Sequence, residues 1–205
     1  MCGARLRCAL AGSRLNRQEI EEALELHQRW LRSEPGGKQA DFSGKDLRNV
    51  NLSFASLNRA KMRGANLSGA DLSSADLTEA DLRGAHLLVA DLRDAGLLGA
   101  DLRRADMSRA NLKGADLTAA VLRSAKLIAA NFELANLTDA DFTKADLRGS
   151  RISSAHMERT ILASAIMDAA DSQKKPSVKD RLKEAGGVRT DAPNNSPAKK
   201  VEPNR

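Results

Sequence analysis

Residues 100–114 read Ala100-Asp101-Leu102-Arg103-Arg104, Ala105-Asp106-Met107-Ser108-Arg109, Ala110-Asn111-Leu112-Lys113-Gly114. One five-residue phrase appears three times, and it runs without a break from residue 40 to residue 169. Its large apolar residue, the centre, falls at every fifth position from Phe42 to Met167. That gives 26 repeats, and every centre is Leu, Met, Phe or Ile. Ala stands two residues before the centre in 22 of the 26. The exceptions, Lys45, Val50, Ser150 and Thr160, lie near the two ends of the array.

Period five suits neither regular element. In an α-helix five residues turn 500°, so successive centres drift by about 140° and form no single face. In a continuous strand an odd period throws the centres alternately to opposite faces. Within one repeat, however, the pattern is strand-like. Ala and the centre are two apart and share a side, while the Asp or Asn between them points away. The other two positions are mostly Ser, Thr, Arg, Gly or Asp and suit a turn. Each repeat is therefore a short extended piece plus a bend that brings the next centre back inside. The chain coils around a narrow apolar core, and neighbouring coils pair their backbones.

The phrase A-(D/N)-L-x-x resembles the pentapeptide repeat family, over 130 of 205 residues. The resemblance implies an all-β fold, a right-handed quadrilateral parallel β-helix with four repeats per coil. Arg63, Arg83, Arg103 and Arg123 occupy one repeat position at intervals of 20, in keeping with four sides. The 26 repeats would then make about 6.5 coils and a rod of about 31 Å at roughly 4.8 Å per coil.

Composition fits such a core. Aromatic residues are 2% of the chain, with no Tyr and one Trp, too few for an ordinary globular interior. A narrow core needs only Leu at the centre and Ala where a larger side chain would overpack. No run of 18 apolar residues suggests a transmembrane span. Cys2 and Cys8 stand alone near the start, so no disulfide framework is expected and a reducing, cytoplasmic setting is the default. The formal charge of +6 resides at the ends. Residues 1–39 carry seven basic and five acidic groups, residues 40–169 seventeen of each, and residues 170–205 nine and five.

Four segments follow. Residues 1–15, with three Arg and no acid, read as a disordered tail, with a targeting peptide as the alternative. Residues 16–34 read as an N-terminal capping helix. Asn16 and Glu19 make a capping-box pair, and Ile20, Ala23, Leu24, His27, Trp30 and Leu31 form one stripe before Pro35-Gly36-Gly37. Trp30 is expected to lie over the first coil; a partner-binding helix is the alternative. Residues 40–169 are the repeat domain. Residues 170–205 form a basic, mostly disordered tail, with a short helix over Ser177–Ala185 as a second candidate cover for the C-terminal end.

Two surfaces on the repeats are candidate partner sites. Arg63, Arg83, Arg103 and Arg123 stack as a basic stripe widened by Arg104, with Asp81 and Asp101 placed to pair with it. On the next side Leu88, Val89, Ile128 and Ala129 are apolar where the repeat is usually polar, and Leu98 and Leu134 stand alone elsewhere. In the last coil the outward Asp/Asn position becomes Ile161 and Ile166, beside the inward Leu162 and Met167. This is a candidate homodimer or cap surface.

No catalytic constellation emerges. His27, His86 and His156 are scattered, neither Cys neighbours a His, and no phosphate loop is present. The Asp residues share one local role in the bend, so no metal and no cofactor are expected. The chain thus reads as a non-catalytic protein–protein interaction scaffold with an unidentified protein partner and no nucleic acid. The resemblance supplies an alternative, since some family members imitate B-form DNA and bind DNA gyrase, inhibiting it or protecting it from quinolones. A repeat block of zero net charge with an Arg stripe and no interrupting loop departs from that pattern.

Overall fold

A computed structural model describes residues 14–168. The expectations for the rest of both tails, including the helix at Ser177–Ala185, fall outside the described residues.

From Asp41 to Asp146, every fifth residue forms a parallel bridge with the residue twenty positions on. A coil is therefore four repeats, and each column of centres recurs on one side. The sides are numbered here by their first centres: side 1 from Phe42, side 2 from Leu47, side 3 from Leu52 and side 4 from Leu57. Among the described residues there are no long strands. Each side contributes one bridged residue per coil, and the next two residues of the repeat turn the corner. The extended piece expected within a repeat is thus reduced to its minimum, because only three residues separate one corner from the next.

The repeat at Asp71–Ala75 shows how the backbone is satisfied. Leu72 N–H donates to Asp91 O (2.7 Å) and Ser74 N–H to Arg93 O (2.8 Å), both in the following coil. Asp71 N–H donates back to Val50 O (3.0 Å), and Ala75 N–H closes the turn on Leu72 O (3.1 Å). One donor remains, the N–H of the residue after the centre. Ser73 N–H is taken by Asp71 Oδ1 at 3.0 Å. The same bond forms at every one of the 16 repeats with Asp or Asn before the centre. An exposed backbone donor thus has a fixed acceptor in its own repeat, which explains the recurrence of Asp and Asn.

The second corner residue adopts positive φ at 24 of the 25 positions from Gly44 to Ser164, and 17 of those 24 are not glycine. A left-handed non-glycine residue costs roughly 1–2 kcal/mol. The inter-coil bond donated by this same residue, as from Ser74, offsets that cost. Ser154 is the exception. There the ladder changes too, and Leu134 N–H is accepted by Ser154 Oγ at 3.3 Å.

The interior is filled by the Ala and centre columns, fully buried through the middle coils. Phe132 on side 3 and Phe142 on side 1 meet edge to face, centroids 5.9 Å apart. Opposite sides therefore touch across the core at that level. At two inward positions that lack Ala, Thr160 Oγ1 donates to Leu137 O at 2.8 Å, while Ser150 Oγ is buried without a partner among the described residues.

One helix, α1 (Arg17–Leu31), precedes the coils. Asn16 accepts from Glu19 N–H (2.9 Å) and donates its own N–H to Glu19 Oε2 (2.8 Å). Arg14, just before it, bridges to Asp46. Ile20, Ala23 and Leu24 join the core cluster. Trp30 does not; it is half-buried and stacks on His27 at 5.5 Å. His27 instead is fully buried, and its Nδ1 accepts from the N–H of Ala40, the first Ala of the array, at 3.1 Å. The place expected for Trp30 is taken by His27 because its ring nitrogen satisfies a backbone donor that an indole, a donor only, would leave open.

Candidate interaction surface

The corners decide what the rod shows to its surroundings, since two of every five residues lie there and their side chains are not needed inside. The residue after each side 1 centre starts the corner between sides 1 and 2. Arg63, Arg83, Arg103 and Arg123 all occupy this place, in four consecutive coils, and Arg104 is the second corner residue of one of them. Together with Gly84 and Ser124 they line a shallow concavity of about 530 Å³.

These guanidinium groups are paired unequally. Arg83 Nη2 lies 2.5 Å from Asp81 and Arg103 Nη2 2.5 Å from Asp101, each within its own repeat. Val121 stands where Arg123 would find such a carboxylate, so Arg123 reaches Asp141 in the next coil, also at 2.5 Å. Lys61 occupies that place in the repeat of Arg63. Among the described residues Arg63 and Arg104 make no ion pair. Along its whole length, side 1 and its corner carry seven cations (Lys61, Arg63, Arg83, Arg103, Arg104, Arg123, Lys144) against four carboxylates (Asp41, Asp81, Asp101, Asp141). Side 4 and its corner are the reverse, with Asp76, Glu79, Asp116, Asp139 and Glu158 against Arg59 and Arg159. The rod's zero net charge is thus partitioned between sides, which the overall count conceals.

The paired carboxylates are held ionised. Hydrogen bonds from Arg48 bring Asp46 down to about 2, and those from Arg83, Arg93 and Arg148 lower Asp81, Asp91 and Asp146. Burial opposes ionisation of Asp101, yet its bonds from Arg103 prevail and its pKa is lowered as well. At the other end of the scale, burial pushes the His27 imidazole below its usual value, opposed in part by the Asn58 carbonyl. Its Nε2 has no hydrogen-bond partner among the described residues.

The corner between sides 2 and 3 is apolar in two coils. Leu88, Val89 and Ile128 are exposed there, followed by Ala129. Val89 is 57% exposed at φ +58°, a conformation costly for a β-branched residue. Leu98 and Leu134 are exposed on other corners. Phe54, 77% exposed on the corner after side 3, escaped the sequence reading although an aromatic at a turn position was the available signal. In the last coil Ile161 and Ile166 are 46% and 52% exposed, Leu162 is buried and Met167 is half-buried. A cleft of about 530 Å³ beside α1 is lined by Arg14, Leu15, Ile20, Leu24 and Val50, among others. No group of His, Cys, Asp and Glu able to hold a metal occurs among the described residues, and His86 and His156 lie on different sides. No helix among them is long and apolar enough to cross a membrane.

Comparison with known proteins places this architecture. The family described as Pentapeptide repeats matches in eight copies spanning residues 38–171. No curated protein sequence gives a significant match. Among solved structures, the chain is similar to HetL, a pentapeptide repeat protein involved in heterocyst differentiation regulation from Nostoc sp. strain PCC 7120. The identity is 28%, over 63% of this chain and 81% of that one, with a TM-score of 0.31. A pentapeptide repeat protein from the Arabidopsis thaliana thylakoid lumen is 32% identical over 50% of this chain and 68% of its own, TM-score 0.29. Trypsin-treated QnrB1, a plasmid-mediated fluoroquinolone resistance protein, is 20% identical over 71% and 82%, TM-score 0.43. With its repeats matched from end to end, the chain belongs to the pentapeptide repeat family, whose members form right-handed quadrilateral β-helices.

Proposed function

We infer that this rod is a non-catalytic protein–protein interaction scaffold with α1 as the cover of its N-terminal end. The observation that carries the reading is the partition of charge: seven cations against four carboxylates on one edge of a rod that is neutral as a whole, with Arg63 and Arg104 in no ion pair among the described residues. Buried positions have a packing reason for their identity, whereas an uncompensated charge on a corner has none. The concavity along the Arg corner is open and built of guanidinium groups, suited to recognition rather than to enclosing a reacting molecule. Imitation of DNA toward gyrase requires a rod acidic as a whole, and this one is neutral overall and basic along this edge.

The test is capture on the immobilised intact chain, followed by purification of the captured protein and size-exclusion chromatography with light scattering. A complex of fixed stoichiometry re-formed from the two purified components supports the scaffold reading. Failure of every captured protein to re-form one overturns it.

The last coil supports a second contact, between copies of the chain. Ile161 and Ile166 expose apolar surface where most other coils carry Asp or Asn. A twofold contact would cover the same patch on both copies. Light scattering should then report two chains, and Ile161→Asp with Ile166→Asp should return one. A single chain before substitution refutes the contact.

A further inference from the structure

Side 2 lies between the two unusual corners. Its first corner carries the Arg ladder and its second carries Leu88, Val89 and Ile128, with Ser108 and the exposed Arg109 in the coil between them. In sequence these look like separate features. In the fold they are two ridges along one strip, in overlapping coils. The flat between them is close to neutral, with Asn66 and His86 in successive coils, then Asp106 and Lys126 paired at 3.8 Å.

We propose that this strip docks an acidic amphipathic α-helix of a protein partner, lying along the rod, with its carboxylates on the ladder from Arg63 to Arg123, Arg104 included, and its apolar stripe on Leu88, Val89 and Ile128.

Three dimensions favour a helix. Coils repeat every ~4.8 Å along the rod, and a helix presents one stripe every ~5.4 Å, so the two stay within about 2 Å of register over four Arg. Guanidinium side chains absorb that difference. An extended peptide shows alternate residues every ~6.7 Å and falls about 6 Å out of register over the same length. Three residues, Ala85 to Leu87, separate Gly84 on one ridge from Leu88 on the other, which is four Cα steps. That is about 13 Å of extended chain, against a helix diameter of 10–12 Å.

Charge and strain point the same way. Arg63 acts on Asp81 only from a distance, and neither it nor Arg104 makes an ion pair among the described residues, so the ladder keeps two guanidinium groups open to a partner's carboxylates. A nucleic acid backbone would satisfy that charge but leave the apolar ridge uncovered. Val89 keeps a β-branched side chain at φ +58°, where glycine would relieve the backbone, and exposes it beside Leu88. Among the 17 non-glycine residues in this corner conformation Val89 alone is β-branched, so its strain is the one a contact outside the rod would account for.

This docking rests on the scaffold reading and can fail without it. The probe is a labelled, stapled synthetic helix with Glu at i, i+4, i+7 and i+11 and Leu one residue after each Glu, which places the two stripes about 100° apart. Its binding to the intact chain is read by fluorescence anisotropy at low and high salt. Arg83→Ser, Arg103→Ser and Arg123→Ser together should weaken it by about tenfold or more and flatten its salt dependence. Leu88→Ser with Ile128→Ser should also weaken it by about tenfold. Arg93→Ser with Lys113→Ser, which removes two cations from the corner after side 3, should leave it unchanged. Melting curves of each variant confirm that the rod persists.

Absence of binding overturns the proposal. Equal binding of a helix of the same composition with Leu opposite Glu overturns it too, as does tighter binding of a single-stranded oligonucleotide. If the probe fails while a captured partner still re-forms its complex with the triple Arg variant, the strip is wrong and the scaffold reading stands.

Discussion

The inward columns and the outward corners of this rod obey different rules. From Ala60 to Ala145 the inward Ala positions hold only Ala, each at most 1% exposed. The corners beside them hold Gly, Ser, Arg, Asp, Leu, Val and Phe with little change in backbone. Inside, the space between four sides admits one side-chain size. At a corner the only common demand is a residue that tolerates positive φ at the second position, and inter-coil hydrogen bonds impose that conformation on almost any residue. The interior therefore fixes the fold, and the corners are free to encode the partner.

Substitution inside and outside should break this contrast if it is wrong. Ala105→Leu puts a large side chain into a filled column and should cost about 1–3 kcal/mol, which is ~2–4 °C of melting temperature per kcal/mol for a chain of this size. Arg109→Leu, on an exposed corner, should change stability by less than ~0.5 kcal/mol. Equal losses in thermal melts would show that the inward and outward assignments are mistaken.

The column of Asp and Asn is intermediate, outward in direction but tied to the backbone. Asp91→Ala removes the acceptor of Arg93 N–H and its ion pair, and should cost about 1 kcal/mol in denaturant unfolding. No measurable loss would mean that solvent replaces the Asp without cost.

A corner residue can even oppose stability. Val89→Gly should stabilise by about 0.5–1 kcal/mol, the relief of its left-handed conformation less the added freedom of the unfolded chain. The same change should weaken binding of the acidic helix. A destabilised Val89→Gly protein would show that the side chain packs rather than waits for a partner.

The smallest effects concern pH. Burial lowers the pKa of His27, so the fold favours its neutral form and loses stability as pH falls below the ordinary 6.5. His27→Asn, which keeps an acceptor for Ala40 N–H without titrating, should abolish that first decline. The Arg-paired carboxyls are lowered instead. They stabilise above their ordinary 3.8 and lose that contribution as pH falls further, toward about 2 for Asp46. Melting temperature should thus fall in two separate pH windows. A single decline below pH ~4 would remove His27 from the account of the N-terminal end.

Much of the fold was legible because period five excludes both regular elements and because Asn16 and Glu19 announce a helix start. The four sides needed the family resemblance; only the 20-residue spacing of the Arg residues hinted at them. The spacing also put the Arg stripe and the apolar residues on neighbouring sides; what it concealed was that the two border the same flat. Arg83 and Leu88 belong to different repeats and were read as different sides, yet they flank one flat strip because the corner residues of one repeat border the next side. His27 was hidden for another reason. Its spacing placed it on the apolar stripe, but only the approach of Ala40 N–H shows why a ring nitrogen is there. Phe54 is hard to see in the sequence because it stands at a corner, where the repeat sets no demand on side-chain size.

The central claim is that the interior holds the rod and the strip on side 2 holds the partner. A variant with Arg83, Arg103, Arg123, Leu88 and Ile128 changed to Ser and Val89 to Gly tests it, through retention of the captured partner on the immobilised chain. The account predicts an intact rod that melts within a few degrees of the parent and retains none of the partner. A folded variant that retains the partner at the parent's level would contradict it.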